Sequence, residues 1–235
     1  MPWSIRLFVA VPLHEGAEVP GTPAQAHYLG NVMRRAVGDV VHVFDGVHGE
    51  WEARVTGLRR ERLTLRAERL VRPQTAEPDI WLLFAPLKRD ATDLVIEKAT
   101  ELGVAQIVPV LTARTNATRL NADRLRAIAA EAAEQCERLT VPTIAPARDM
   151  AAVLATWPPG RPLVVALERS AAPMLPARRG PSALLVGPEG GFTPAELDAL
   201  RRHLFVVQAS LGPRILRAET AVIAGLALLQ AAAAG

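Results

Sequence analysis

Two patterns of hydrophobic and polar positions divide the sequence near residue 75. Before it, segments such as Glu50–Val55 and Arg62–Glu68 alternate polar and apolar residues, which is typical of half-buried β-strands. After it, continuous apolar runs such as Ile80–Ala85 alternate with segments of helical periodicity, as in a parallel sheet covered on both faces. The pattern therefore predicts a small, mostly β domain over residues 1–74 and an α/β domain over residues 75–235.

Turn and capping signals set the ends of several predicted elements. Asp45-Gly46 follows the predicted strand Val40–Phe44 and predicts a hairpin, while Thr193 before Pro194 predicts a capped helix start with Glu196 at its third position. The other predicted strands are Ile5–Val11, Gln106–Leu111, Leu163–Leu167, Ala183–Val186 and Phe205–Ala209. The other predicted helices are Pro23–Ala36, Asp90–Leu102, Asn121–Leu139 and Ala218–Ala233.

The composition excludes several classes of protein. Half of the 235 residues are hydrophobic and 22% are charged, which is typical of a globular protein rather than a disordered one. A single cysteine rules out an internal disulfide, and five histidines without metal-binding spacing predict no metal site. No apolar run reaches the roughly 18–20 residues of a membrane span, and the first residues lack a secretory signal. We therefore expect a soluble, cytoplasmic protein that binds neither a metal nor a membrane.

Arginines cluster between residues 54 and 72, although the net charge of the chain is only +3. This segment contains seven arginines and two glutamates, and guanidinium groups pair well with phosphate oxygens. The spacing alone leaves two interpretations open, which are a phosphate-binding surface and a solvated face of the small domain.

Two glycine-containing loops each follow a predicted strand of the second domain. The first runs from Val186 to Phe192 and the second from Ser210 to Ala221. Parallel α/β sheets bind ligands at the carboxyl ends of their strands, which is where both loops lie. Neither loop has GxxxxGK(S/T) or GxGxxG spacing, which argues against a phosphate cradle and against a dinucleotide dehydrogenase. A ligand-binding role and simple strand-to-helix turns both remain open.

Five segments, in order along the chain, resemble the sequence motifs of the RsmE family of ribosomal RNA methyltransferases. They are His27–Gly46, Ile96–Val104, Glu131–Arg138, Val186–Thr193 and Ser210–Ala221. The resemblance covers essentially the whole chain, and the combination of ordered motifs makes it specific. The sequence departs from the family at Lys88–Asp93, where a glycine is usual, and at Ala218, where threonine is common.

The resemblance implies both a fold and an activity. The fold is a SPOUT-type, trefoil-knotted parallel-sheet methyltransferase domain, preceded by a small PUA-like β-barrel domain that binds RNA. The activity is transfer of a methyl group from S-adenosylmethionine to N3 of a specific uridine in small-subunit (16S) ribosomal RNA, as free RNA or in the assembled small subunit. The family is homodimeric. By motif, the expected cofactor-binding residues are Gly187, Pro188, Glu189, Gly190, Leu211, Gly212, Ile215, Leu216 and Thr220.

The implied reaction must remove the proton on N3 of the uridine, because the nitrogen is not nucleophilic while it carries that proton. By motif position and residue type, Arg217 is expected to stabilise the uridine anion. Glu189 or Glu219 is expected to accept the proton or to orient Arg217, and a purely structural Arg–Glu pair is the alternative. The expected RNA contacts are Arg6, Arg34, Arg35 and Arg114.

Two other functions remain open from the sequence. One is a SPOUT methyltransferase that modifies another RNA base. The other is a non-catalytic RNA-binding protein of ribosome assembly with a vestigial pocket. The intact glycine-containing loops favour catalysis, and titration with the cofactor distinguishes an enzyme from a protein that only binds RNA.

Overall fold

The computed structural model describes residues 4–116, 119–168, 172–175 and 180–233, which form two compact units. The first unit contains the residues up to Ala76 together with Ala133–Val141. The second contains Glu77–Ala132 and the chain from Pro142 onward. The boundary between the two units lies close to residue 75. No local sequence pattern, however, predicts that residues 133–141 belong to the first unit.

Five strands form the sheet of the first unit. They are β1 (Arg6–Phe8), β2 (Glu18–Gly21), β3 (Val40–Phe44), β4 (Glu50–Arg59) and β5 (Arg62–Arg72). Their order is β1-β3-β4-β5-β2, with β1 parallel to β3 and all other neighbours antiparallel. Ala53, Val55, Leu63 and Leu65 are buried, as the alternating pattern predicts. The pairing of the described strands leaves β1 and β2 as the edges of this sheet, and Leu7 of β1 and Val19 of β2 lie in the same buried core.

The predicted helix over Pro23–Ala36 is wrong beyond its first turn and a half. Thr22 caps a short helix, α1 (Pro23–His27), through a capping box. The chain then widens into a π-helical turn over Tyr28–Val32, which ends in a backbone hydrogen bond of 2.9 Å across five residues. Gly30 lies inside this turn, and its low helical propensity weakens the regular α-helix at that point.

The buried Arg6 side chain binds the segment that returns to the first unit. Arg6 is 8% exposed, and its Nε donates to the Glu50 carboxylate at 2.5 Å. Nη1 donates to the carbonyls of Ala133 and Glu134, both at 2.9 Å, and Nη2 donates to the carbonyl of Arg138 at 2.7 Å. All three guanidinium nitrogens are therefore engaged inside the unit. The structure does not support the predicted contact of Arg6 with RNA, because four of the five guanidinium N–H groups bind inside the unit and the side chain is buried.

Glu50 supplies the negative charge of this contact, which we call the Arg6 clamp (Arg6, Glu50 and the carbonyls of residues 133, 134 and 138). Glu50 is 2% exposed and also accepts from Nε of Arg72. Burial alone raises the pKa of Glu50, but the hydrogen bonds and charges of Arg6 and Arg72 outweigh it and lower that pKa below its usual value. The clamp is thus an ionised contact at neutral pH.

A sheet of seven strands forms the second unit. The strands are β6 (Ile80–Phe84), β7 (Gln106–Leu111), β8 (Thr143–Ile144), β9 (Arg148–Asp149), β10 (Leu163–Ala166), β11 (Ser182–Val186) and β12 (Val206–Ala209). Their order is β12-β10-β11-β6-β7-β8, β9 pairs with the end of β7, and every pair is parallel. Every residue of β11 is buried, which confirms the strand predicted from its apolar run.

The remaining helices are α2 (Arg89–Glu101), α3 (Ala122–Gln135), α4 (Met150–Ala155), α5 (Pro194–Arg201) and α6 (Ala218–Ala233). The predicted end of α3 near Leu139 is wrong. Glu137 has a φ of +61°, and Arg6 instead binds the last carbonyls of the helix. Sequence patterns did not predict β2, β8, β9 and α4, because elements this short are not long enough to show a hydrophobic period. No helix among the described residues combines the length and apolarity needed to cross a membrane.

Candidate functional site

A cavity of about 430 Å³ lies at the carboxyl ends of β10, β11 and β12. Strand β10 pairs with both of the others, so the loops after all three strands converge at one edge of the sheet. Eight of the predicted cofactor-binding residues line the cavity, namely Gly187, Pro188, Glu189, Gly190, Leu211, Gly212, Ile215 and Leu216. The predicted Arg114 and Arg217 also line it.

The loop after β11 turns tightly beside the cavity. The Gly191 amide donates to the Pro188 carbonyl at 2.8 Å, and Gly191 has a φ of +65°, a conformation that favours glycine. A Cβ on Gly187 would lie 3.0 Å from the ring of Phe192, which is itself part of the cavity wall. The glycines therefore let the loop fold back onto its own aromatic residue.

Ser210 holds the loop after β12. Its hydroxyl oxygen accepts from the Gly212 amide at 3.2 Å, and its backbone bonds to Pro173 and Leu175. Gly212 has a φ of +116°, which residues with a Cβ rarely adopt. An added Cβ at Gly212 would have open space around it, so the backbone conformation rather than packing requires glycine there.

Helix α6 begins directly after Arg217, whose carbonyl accepts from the Ala221 amide at 2.8 Å. Ala218 and Ala221 lie on the side of the helix that lines the cavity. Glu219 and Thr220 do not line it, because successive helical residues are rotated by about 100°. The cavity lining therefore does not include Thr220 or Glu219, and their roles in cofactor binding and catalysis stay predictions.

Arg114 reaches the cavity from the loop after β7. Its Nη1 donates to the Gly190 carbonyl at 2.6 Å. The neighbouring Ala113 amide donates at 2.8 Å to the carboxylate of Glu196, which belongs to α5. These two hydrogen bonds join the loop after β7 to the segment that follows β11.

Known proteins match the chain over both of its units. The RNA methyltransferase domain family matches residues 75–230, more than half of the chain, and the RNA methyltransferase PUA domain family matches residues 22–68. The chain is 31% identical to Ribosomal RNA small subunit methyltransferase E of Rickettsia conorii, over 94% of this chain and 93% of that protein. It is 35% identical to the Synechocystis protein of the same name, over 96% and 77%. The chain belongs to the ribosomal RNA small subunit methyltransferase E family.

Solved structures of similar proteins share this fold. A Legionella pneumophila methyltransferase in complex with the bound cofactor SAM has a TM-score of 0.90 at 26% identity, over 98% of both chains. A Ribosomal RNA small subunit methyltransferase E from Neisseria gonorrhoeae, bound to S-adenosyl methionine, has a TM-score of 0.85 at 28% identity over 98% of both chains. The parallel-sheet α/β unit and the N-terminal PUA-like unit of this chain are thus those of the methyltransferase E family.

The charged residues that line the cavity of this methyltransferase E family member are Arg114, Arg214, Arg217, Glu168 and Glu189. Within the described part of the chain, Arg217 and Glu189 have no hydrogen-bond or ion-pair partner for their side chains. A purely structural Arg–Glu pair therefore has no support here. Both groups are available to a ligand at the cavity.

The residues of the cavity fit S-adenosylmethionine by their chemistry. Leu211, Ile215 and Leu216 offer apolar surface to a flat ring such as adenine, and Glu168 and Glu189 suit a positively charged sulfonium or ammonium group. The cavity volume of about 430 Å³ also lies in the range of about 300–1,000 Å³ that is usual for small-molecule sites.

Sequence reasoning missed the third loop of the site. Leu167 and Glu168 follow β10 and line the cavity together with the loops after β11 and β12. The sequence does contain a signal for this loop, because Leu163–Leu167 is predicted as a buried strand and the carboxyl ends of parallel strands lie at the same edge of a sheet. Phe192 and Arg214 were also not predicted as lining residues, although they lie in the motif segments Val186–Thr193 and Ser210–Ala221.

Proposed function

We propose that this chain transfers a methyl group from S-adenosylmethionine to N3 of a uridine in small-subunit (16S) ribosomal RNA, in the cytoplasm. The observation that carries the proposal is the cavity at the carboxyl ends of β10, β11 and β12, where an apolar wall meets Arg114 and Arg217. Relatives that are 31% and 35% identical are named for methylation of small-subunit ribosomal RNA, and similar structures hold the cofactor.

Bound S-adenosylmethionine supplies a methyl group. The positively charged sulfur that carries this methyl group is a good leaving group. Leu211, Ile215 and Leu216 would pack against its adenine ring, and the backbone of Gly187–Gly190 and Gly212 would meet its polar edges. Arg217 and Glu189, which line the same cavity, would then lie close to the reacting groups.

We also propose that the C-terminal segment is threaded in the trefoil knot of SPOUT proteins. Strand β12 is separated from β11 by β10, yet α6 returns to pack against β11 and α2. Gly225 permits this close return, because a Cβ there would lie 2.7 Å from the side chain of Leu184 in β11. A return path of this kind is what threading requires.

In the proposed reaction, Glu189 accepts the N3 proton of the uridine at its carboxylate, the N3 electron pair forms the bond to the methyl carbon, and the bond from that carbon to sulfur breaks with its electron pair going to the sulfur. Arg217 donates to a uracil oxygen beside N3 and stabilises the negative charge that the departing proton leaves. Both side chains line the cavity and have no other partner in the described part of the chain, which supports these roles.

We expect Gly212→Ala to weaken the binding of S-adenosylmethionine about tenfold, which corresponds to about 1.4 kcal/mol. A residue with a Cβ pays about 1–3 kcal/mol for a strained backbone such as a φ of +116°. The loop relieves that strain by moving, which displaces the neighbouring Leu211 from the cavity wall. Calorimetric titration with the cofactor measures the change.

Gly160→Ala is the matched control for this variant. Gly160 has a φ of +75° and open space around an added Cβ, but it precedes β10 and lies at the opposite edge of the sheet. We expect similar strain with unchanged cofactor affinity. Wild-type affinity in Gly212→Ala would show that the loop after β12 does not hold the cofactor.

The first unit supplies the proposed RNA-binding surface. Arg34 and Arg35 are exposed after the π-helical turn, and Arg59, Arg60 and Arg62 are exposed where β4 turns into β5. These five side chains have no partner among the described residues, so their guanidinium groups are available to phosphates.

Three of the remaining arginines of the cluster between residues 54 and 72 are neutralised within the unit. Arg54 makes two bonds of 2.8 Å to Glu68, Arg69 pairs with Glu52 at 2.5 Å, and Arg72 pairs with Glu50. Each of the two interpretations of the cluster therefore applies to a different part of it. The β4–β5 turn fits a phosphate-binding surface, and the paired arginines form a solvated face.

Replacing Arg59, Arg60 and Arg62 together by Gln is expected to weaken binding of small-subunit RNA and to flatten its salt dependence. Each lost phosphate contact lowers the slope of log K against log salt by about 0.7–0.9, so we expect a loss of about 2–3 for the triple variant. Fluorescence anisotropy at several salt concentrations measures the slope. The combined Arg54→Gln and Glu68→Gln variant removes one ion pair at constant net charge and should leave the slope unchanged. An unchanged slope in the triple variant would contradict the proposed surface.

We propose that the chain acts as a homodimer, as the family resemblance implies. Helix α6 exposes Ala227 and Leu228, and the half-buried Ile223 and Ala224 adjoin them on the same face. An exposed apolar helix face is typical of a surface that another subunit covers, which supports the proposal.

A further inference from the structure

The carboxylate of Glu196 binds two separate segments at the candidate site. Its Oε2 accepts from the amide and the hydroxyl of Thr193, at 2.8 and 2.9 Å, which completes the capping box of α5. Its Oε1 accepts from the Ala113 amide at 2.8 Å, in the loop after β7. One side chain therefore caps a helix with one oxygen and tethers a distant loop with the other.

The tether to Ala113 is separable from the helix cap. In α1 of the same chain, Gln25 stands at the position equivalent to Glu196 and completes a capping box with Thr22, accepting from the Thr22 amide at 2.9 Å. A glutamine thus suffices for capping. A glutamine lacks a second acceptor oxygen. Its amide nitrogen, which is itself a donor, would face the N–H of Ala113 and could not accept from it.

The tethered loop carries Arg114 to the cavity. Arg114 Nη1 donates to the Gly190 carbonyl at 2.6 Å, and its Cδ lies 3.3 Å from the position of a Cβ on Gly190. Only glycine at residue 190 allows this close approach without a shift of the arginine. Within the described residues Nε and Nη2 of Arg114 make no hydrogen bond, which leaves them for a ligand at the cavity.

We propose that Glu196 is a positioning residue that fixes Arg114 over the glycine-rich loop, where the free guanidinium nitrogens bind an anionic oxygen of the RNA substrate. The inference rests on the proposed function and adds a residue that no motif marked for the reaction. Glu196 acts through Arg114 and does not itself line the cavity.

The charge state of Glu196 suits this role. Burial alone raises the pKa of Glu196, but the hydrogen bonds from Thr193 and Ala113 and the charge of Arg114 outweigh it and lower that pKa below its usual value. The carboxylate therefore stays ionised at neutral pH and keeps both oxygens as acceptors.

Hydrogen exchange of the protein without ligands tests the tether directly. In Glu196→Gln, we expect the amides of residues 111–116 to exchange about fivefold faster or more, while α5 keeps its wild-type protection because the cap survives. Asp198→Asn is the matched control, since Asp198 lies on the same helix and pairs only with Arg201 on the surface among the described residues. Wild-type exchange of residues 111–116 in Glu196→Gln would overturn the proposal.

A double-mutant cycle on methyl transfer tests the link to Arg114. We expect Glu196→Gln to lower kcat about tenfold, with cofactor affinity unchanged, because a misplaced arginine no longer meets the substrate. In an Arg114→Ala background the same exchange should have no further effect on kcat. An equal loss of kcat in both backgrounds, or no loss in the first, would overturn the positioning role. If the wild-type protein transfers no methyl group, the proposed function fails, and the exchange measurement still decides whether Glu196 holds the loop.

Discussion

Replacing Arg217 by alanine is expected to lower kcat for methyl transfer about 100- to 1,000-fold, which is the usual effect of removing one donor that stabilises a developing anion. Arg217 lines the cavity, and its side chain has no partner in the described ranges. Removing its guanidinium group therefore breaks no hydrogen bond or ion pair among the described residues. The start of α6 uses only the carbonyl of Arg217, which alanine retains. The fold and the affinity for S-adenosylmethionine should therefore stay close to those of the wild type.

Two further variants make the Arg217 result specific. Arg217→Lys keeps a positive charge without the planar fork, so we expect it to recover only part of the lost kcat. Arg201→Ala removes an exposed arginine of α5 that pairs with Asp198 on the surface, and it should leave kcat unchanged. Steady-state methyl transfer and calorimetric titration with the cofactor provide the two readouts. A kcat for Arg217→Ala within a few-fold of the wild type would show that Arg217 has no role in the reaction.

Replacing Arg6 by alanine is expected to lower the free energy of unfolding of the first unit by about 3–5 kcal/mol, as when one partner of a buried ion pair is removed. The variant leaves Glu50 buried with one of its two arginines missing, and it leaves the carbonyls of Ala133, Glu134 and Arg138 without their donor. The Arg6 guanidinium also lies 4.6 Å from the centre of the Phe44 ring, a contact that is lost as well. Urea unfolding followed by circular dichroism measures the change.

The pH dependence of stability provides a second readout for the Arg6 clamp. Because the pKa of Glu50 is lowered in the folded protein, its contribution is fully present above the unfolded-state pKa, taken as 4.5, and is lost as the pH falls through the lowered value. Arg6→Ala should reduce this acid-dependent loss, because the pKa of Glu50 then moves back up. Arg69→Ala, which breaks the exposed pair with Glu52, should cost less than about 1 kcal/mol. An equally small cost for Arg6→Ala would contradict the clamp.

Local sequence patterns sufficed for the parallel sheet and failed where distant residues decide the structure. The apolar run of β11 and the capping box at Thr193 are read from neighbouring residues, and both are confirmed. The end of α3 is set by Arg6, which lies 127 residues away from the Ala133 carbonyl that it binds. No hydrophobic period reports a contact of that separation, and the same reason accounts for the predicted RNA contact of Arg6, which the structure does not support.

The candidate site shows the same division between local and distant causes. Loops that follow buried parallel strands meet at one edge, so the residues of the loops after β11 and β12 were predictable as a group. The helical phase at the start of α6 distinguishes Ala218 and Ala221, which line the cavity, from Glu219 and Thr220, which are not among its lining residues. Glu196 was predicted only as a capping residue, because its bond to Ala113 joins two residues that are 83 positions apart in the sequence.

The most direct test of the proposed function is methyl transfer from labelled S-adenosylmethionine to small ribosomal subunits that lack the modification. Mass spectrometry of the digested ribosomal RNA identifies the modified base, and protein-free ribosomal RNA assayed in parallel shows which form of the substrate is used. We expect N3-methyluridine as the labelled product. Label in another base would contradict the uridine assignment, and no transfer together with no calorimetric binding of the cofactor would leave a protein that only binds RNA.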